Sequence, residues 1–185
     1  MSLGSYNVKM ISHIIDDLFD KDFINHLYQL MIHEVPVTAN NVANSHRLFG
    51  TNIFARSGIN RVDYLHDKAE KFFDAFDIIE DQFSTPIYLK RIDVNLQFIN
   101  MNGSTHTDAV DEELTVMLMN NSEWKPEWGG KFQLMDWRDN VIEEHDYVPG
   151  RVIIFPGKHP HRGLAPIVPN TPRYTTVYRI IPQEL

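Results

Sequence analysis

Three groups in the C-terminal half are of types that could do chemistry together: His106-Thr107-Asp108, His161 and Arg173. A histidine and a carboxylate two residues apart project to the same side of an extended segment. A second imidazole from a distant segment would complete two nitrogens and one carboxylate oxygen on one face of a metal ion. That facial set leaves three coordination positions open, which is what Fe(II) needs to hold a bidentate small molecule and dioxygen together. The chain has no cysteine, so thiolate zinc sites, iron–sulfur clusters, disulfides and cysteine nucleophiles are excluded, and any metal must sit on His, Asp or Glu. With nine His and 25 Asp plus Glu among 185 residues, about one His-x-acid match is expected by chance, so the triplet matters only through its context. His159 offers an alternative imidazole. His161 is preferred because it stands further from the strand end at Phe155 and is followed by Arg162-Gly163 and Pro166.

The elements that must position these residues divide the chain in two. Residues 11–15 read as a short strand, and Asp20 reads as a helix N-cap with Phe19 and Ile24 placed as a hydrophobic staple. Ile24, Leu27, Tyr28 and Met31 follow on one helical face. A second helix is expected from about Asn60 to Ile79, on the spacing of Leu65, Ala69, Phe72, Phe76 and Ile79. After Pro86 the texture changes to short β-branched and aromatic runs separated by turn residues: 87–101, 113–119, 131–137, 152–155 and 173–181. Helices segregated ahead of many short strands favour an antiparallel sandwich or barrel covered by helices. The segment 34–59, rich in Asn and carrying Arg47 and Arg56, reads as a long loop.

Composition sets the outer bounds. A chain of 185 residues with 43% apolar side chains suits one domain, helical over about 1–85 and β over about 86–185. The net charge of -8 has the wrong sign for neutralising phosphates, so no nucleic-acid partner is expected. The first twenty residues carry Asp16, Asp17 and Asp20 and no long apolar run, so neither export nor a membrane is expected and the default compartment is cytoplasmic. Oligomeric state leaves no sequence signal.

The C-terminal half resembles the iron- and 2-oxoglutarate-dependent dioxygenases, nearest to their prolyl 4-hydroxylase-like branch. The resemblance spans about residues 90–181 and rests on motifs in order: Leu96-Gln97 leading through Asn102-Gly103 to His106-Thr107-Asp108; Leu118-Met119-Asn120-Asn121 with Trp124; Pro126-Glu127-Trp128-Gly129-Gly130 before Phe132-Gln133-Leu134; Pro149-Gly150-Arg151-Val152-Ile153-Ile154-Phe155; and His161 followed by Arg173-Tyr174. It implies a mainly β fold, a double-stranded β-helix (jelly-roll, cupin-like) with N-terminal helices packed on one sheet. It also implies His106, Asp108 and His161 as Fe(II) ligands, Arg173 as partner of the distal carboxylate of 2-oxoglutarate, and Thr175 as a hydroxyl beside that carboxylate. The planar guanidinium fork suits such a role.

The activity implied is hydroxylation of an unactivated C–H bond coupled to decarboxylation of 2-oxoglutarate to succinate, with ascorbate as a reductant. The substrate would be a small molecule or a peptide: peptidyl proline, an amino acid or another compound. The rival reading is a non-catalytic or 2-oxoglutarate-independent cupin-like metal-binding protein, which would have no need for Arg173. One departure is the Tyr that many relatives place upstream of the triplet. The stretch Phe98-Ile99-Asn100-Met101-Asn102 has none, and Asn95 and Gln97, which share a face, are the candidates to replace it. The loop before His106 is short, which puts prolyl specificity in question. Gly129 and Gly130 read as a positive-φ turn, and Trp124, Trp128 and Trp137 as packing or as a substrate mouth.

Overall fold

Alternation along the long strands explains the layering. In β5 (Ile87–Gln97), Ile92, Val94 and Leu96 are buried among the core side chains under the helices, whereas Asp93, Asn95 and Gln97 line a cavity on the opposite face. The computed structural model describes residues 10–40, 48–58 and 61–183. Along the chain these form β1 (His13–Ile15), α1 (Lys21–His33), β2 (Thr38–Asn40), β3 (Leu48–Gly58), β4 (Arg61–Leu65), α2 (Glu70–Glu80), then β5, β6 (Leu114–Met119), β7 (Phe132–Met135), β8 (Val141–His145), β9 (Val152–Pro156), β10 (His161–Gly163) and β11 (Arg173–Pro182). The major sheet runs β1-β9-β6-β11-β5-β3-β2, with β4 paired to β3, and the minor sheet runs β10-β7-β8. The strand pairs are antiparallel.

The helices cover one face of the major sheet. Asp20 caps α1 by accepting from Phe23 N at 2.7 Å, and Ile24, Leu27 and Met31 are buried. Phe72, Phe76 and Ile79 of α2 join Tyr178 and Ile180 of β11 in the same core. Each such burial stabilises by about 1.5–3 kcal/mol. The other face, with the minor sheet, encloses a second cluster of Met117, Met119, Phe132, Leu134, Tyr147, Ile153 and Phe155. Two sheets with helices on the outside of one make up the expected jelly-roll. No helix among the described residues is long and apolar enough to cross a membrane.

Two expectations fail in the N-terminal part. The segment 34–59 is not a loop: its described residues include β2 and the eleven-residue β3, which pairs with β5 in the heart of the sheet. Arg47 lies outside the described residues. The second helix does not begin near Asn60, itself outside the described residues, but at Glu70. Leu65 is 58% exposed in β4, which pairs with β3. Its spacing to Ala69 is coincidental, because hairpin pairing overrides a local period when a neighbouring strand offers a partner. The helical half therefore also supplies strands to the major sheet.

Candidate functional site

The polypeptide brings His106 and His161 together through the backbone. The two residues form an antiparallel bridge, His106 N donating to His161 O at 3.0 Å and His161 N to His106 O at 2.9 Å. On either side Gly103 N donates to Gly163 O and Asp108 N to Gly157 O. The approach is close at Gly103, where a Cβ would meet Gly163 O at 3.0 Å. The imidazole centroids stand 4.3 Å apart, with Phe155 packed edge-on against His161 at 4.7 Å.

Both rings are oriented from behind. Nδ1 of His106 lies 3.0 Å from Ser104 O and Nδ1 of His161 lies 2.8 Å from His159 O. A carbonyl only accepts, so Nδ1 carries the proton in each ring and Nε2 faces Asp108 at 3.6 and 3.4 Å. Thr115 Oγ1 of β6 donates to Asp108 Oδ2 at 2.8 Å, which orients the carboxylate. Burial works against a charge on Asp108, but the two facing imidazoles outweigh it and hold its carboxyl well below the usual carboxylate range. For His106, burial likewise opposes the charge, and Asp108 with the Ser104 carbonyl prevails to raise its pKa. One donor atom from each of His106, Asp108 and His161 falls within a 4.8 Å set. Two imidazole nitrogens and a carboxylate fit a divalent transition metal. His159 is not in the cluster; its carbonyl holds His161, while its own Nε2 is buried without a hydrogen-bond partner.

Arg173 lines the same cavity, which has a volume of about 290 Å³. The residue is 2% exposed. Its Nε donates to Gly130 O at 2.8 Å and its Nη1 to Gln97 Oε1 at 2.7 Å, while Nη2 is buried with no hydrogen-bond partner. Burial draws its pKa down to about 10, which leaves it charged at neutral pH. A buried guanidinium with donors to spare and no ion-paired carboxylate among the described residues fits an anionic ligand. Gln97 Nε2 donates to Met101 O and Gly163 O, fixing the amide, and the Arg173 guanidinium stands 5.0 Å over the Tyr147 ring. Thr175, 2% exposed, lines the cavity two positions along β11, and Asn95 pairs with it from β5.

The glycine turn is as expected, with Gly129 and Gly130 at φ 74° and 77°. A Cβ on Gly130 would lie 2.7 Å from the Trp124 ring. Trp124 packs on Tyr147 and Trp128, Trp137 is 77% exposed, and none of the three lines the cavity. Thr115, Gly130 as an acceptor for Arg173, and Tyr147 beneath it were not singled out for these roles from the sequence. Tyr147 follows strand β8, which sequence periodicity missed, and no motif marks Thr115.

No family model matches the chain, and no curated protein matches it. Solved structures do. An oxidoreductase of the 2OG-Fe(II) oxygenase family from Burkholderia pseudomallei superposes over 92% of this chain and 84% of its own, at 18% identity and a TM-score of 0.69. A prolyl-4-hydroxylase from Pseudomonas putida covers 94% of each chain at 13% identity and a TM-score of 0.64. The fold is that of the 2OG-Fe(II) oxygenases. A non-heme alpha-ketoglutarate-dependent epimerase from nogalamycin biosynthesis shares it as well, at 10% identity and a TM-score of 0.65, over 93% of this chain and 78% of its own. One oxygenase scaffold thus carries different reactions, and function has to be argued from the site.

Proposed function

We propose that the protein is an Fe(II)- and 2-oxoglutarate-dependent dioxygenase that hydroxylates an unactivated C–H bond of a small-molecule or peptide substrate, with His106, Asp108 and His161 as iron ligands and Arg173 and Thr175 holding the cosubstrate. The observation that carries this reading is the unpartnered Nη2 of buried Arg173, a residue that lines the same cavity as the His-Asp-His cluster. A 2-oxoglutarate-independent metal protein would have no use for it.

When bound, iron supplies dioxygen activation, drawing electrons from oxidative decarboxylation of 2-oxoglutarate to succinate and CO2, so that one oxygen atom enters succinate and the other the product. The residues of the chain prepare that chemistry. Ser104 and His159 carbonyls keep both imidazoles in the tautomer that presents Nε2, and Thr115 orients Asp108. Of the five N–H donors of a guanidinium, Arg173 commits one to Gly130 and one to Gln97, leaving enough for both oxygens of a carboxylate. Met117, Phe132, Phe155 and Val177 add apolar surface to the cavity wall. The reading includes a cytoplasmic setting, the default read from the sequence, and ascorbate as reductant, which the family resemblance implies.

The test is anaerobic Fe(II) titration together with succinate release. The protein should bind one Fe(II), Asp108→Ala should abolish stoichiometric binding, and purified protein with Fe(II), ascorbate and 2-oxoglutarate should release succinate slowly without added substrate. Full iron retention by Asp108→Ala would reject the ligand assignment.

A further inference from the structure

The cavity extends well past the space a five-carbon cosubstrate fills. Its wall on β11 runs through Arg173, Thr175, Val177 and Arg179, a span of about 20 Å at strand rise. Arg173 marks one end. At the other, strand register sets three side chains in one row: Thr115 of β6 pairs with Arg179 of β11, and Arg179 pairs with Arg91 of β5. Thr115 is the residue that holds Asp108, so this row lies at the level of the His-Asp-His cluster. Asp93, one inward position further along β5, lines the cavity as well.

The charges in this row are incompletely balanced. Arg179 Nη2 donates to Glu113 Oε2 at 2.9 Å, and Glu113, 3% exposed, also receives Lys90. Arg91 Nε stands 2.6 Å from Asp93 Oδ2, and Asn52 donates to the other oxygen at 3.1 Å. In these pairs Lys90 and Arg179 share one carboxylate and Arg91 takes another, so three cations share two, with Asp108 held on the Thr115 side of the row. Like charges directly opposite on neighbouring strands are destabilising, yet Arg91 and Arg179 are such a pair, and Arg179 Nε is buried without a hydrogen-bond partner. Arg91 is 41% exposed at its side chain, so the row opens to solvent. A cationic mouth on a chain of net charge -8 also draws anions against the overall field.

Resting on the oxygenase reading above, we propose that this mouth is the substrate subsite and that it selects a small organic acid, such as a free amino acid, whose carboxylate is received between Arg179 and Arg91. A monoanion cancels the residual charge, satisfies the buried donor and separates the two guanidiniums. It leaves the rest of the substrate beside Thr115 and Asp108, where the cosubstrate's iron-binding end belongs. A residue held within a peptide chain has no α-carboxylate to offer there.

The experiment compares acids with amides on the wild-type protein loaded with Fe(II) and 2-oxoglutarate. The probes are the twenty common L-amino acids, their C-terminal amides, straight-chain C2–C6 monocarboxylic acids and a proline-containing peptide blocked at both ends. At least one free acid should stimulate succinate release, with its amide needing at least tenfold more for the same effect. Arg179→Gln and Arg91→Gln should each raise the half-maximal concentration of that acid at least tenfold. The half-exposed Arg91 serves as the second variant should Arg179→Gln unsettle the Glu113 network. Equal response to acid and amide, stimulation by the blocked peptide alone, or release that no acid stimulates would overturn the proposal with the oxygenase reading intact. Absence of succinate release under every condition would instead remove the oxygenase reading and this inference with it.

Discussion

Replacing Arg173 by Ala tests the cosubstrate site at its most demanding point. The guanidinium has Nη2 unpartnered and Nη1 with one hydrogen beyond its bond to Gln97, so a carboxylate can receive two charge-assisted bonds. At about 1.5–3 kcal/mol for each bond to a charged group, the pair contributes at least about 3 kcal/mol. Since every 1.4 kcal/mol is tenfold, the 2-oxoglutarate requirement should rise about 100-fold or more. The variant also orphans Gly130 O and Gln97 Oε1, each at about 1–3 kcal/mol of stability, so its folding must be checked alongside. Arg173→Lys separates the effects, because it keeps the charge and loses the fork; its requirement should fall between those of the wild type and Arg173→Ala. The assay is 2-oxoglutarate binding by isothermal titration calorimetry on iron-loaded, oxygen-free protein, with thermal melts of each variant. A folded Arg173→Ala protein that binds 2-oxoglutarate as the wild type does would refute the reasoning and place the anchor elsewhere.

Other residues make equally definite demands. Thr115→Val keeps the shape but loses the donor on Asp108 Oδ2, and should weaken Fe(II) affinity about 10–100-fold in anaerobic titration; unchanged affinity would deny the hydroxyl any positioning role. Gly130→Ala meets both a positive φ and the Trp124 ring, at a combined cost of about 3 kcal/mol, and the melting temperature should drop by roughly 6–12 °C. Glu143 ties Ile11 and Ser12 to β8; burial would raise its pKa, but the bonds from Ser12 and Ile11, with His145, bring it below the ordinary 4.5. Because the folded value is the lower one, its stabilisation is complete above about pH 4.5 and is lost as pH falls through the folded value. Glu143→Gln should therefore lower the melting temperature at pH 7 by roughly 4–8 °C, from about 2 kcal/mol, and flatten its decline in melts from pH 7 to pH 3.

The sequence by itself determined the β-branched and aromatic runs that became β5, β6 and β11, the capped helix at Asp20, and the types and order of the residues in the site. These are local properties: a period of two or 3.6 residues, a cap three residues from the amide it satisfies, a motif spacing. It could not place β3, whose pattern of Gly50, Asn52, Ala55 and Arg56 carries little apolar period. That segment is a strand because β5 lies beside it with open hydrogen-bonding groups, and a partner distant in sequence leaves no local trace. The failure at Leu65 has the same cause. The structure groups His161, and not His159, with His106 and Asp108, and what brings it there is the backbone bridge to His106 across 55 positions. Which face of β5 turns inward was also open in the sequence, and burial of Ile92, Val94 and Leu96 under the helices decides it by sending Asp93, Asn95 and Gln97 into the cavity. The same holds for the pairing of Arg91 with Arg179 and for Arg173's unpartnered Nη2. Such features depend on which strands are neighbours and in what register, and register is a property of the folded sheet rather than of any one segment.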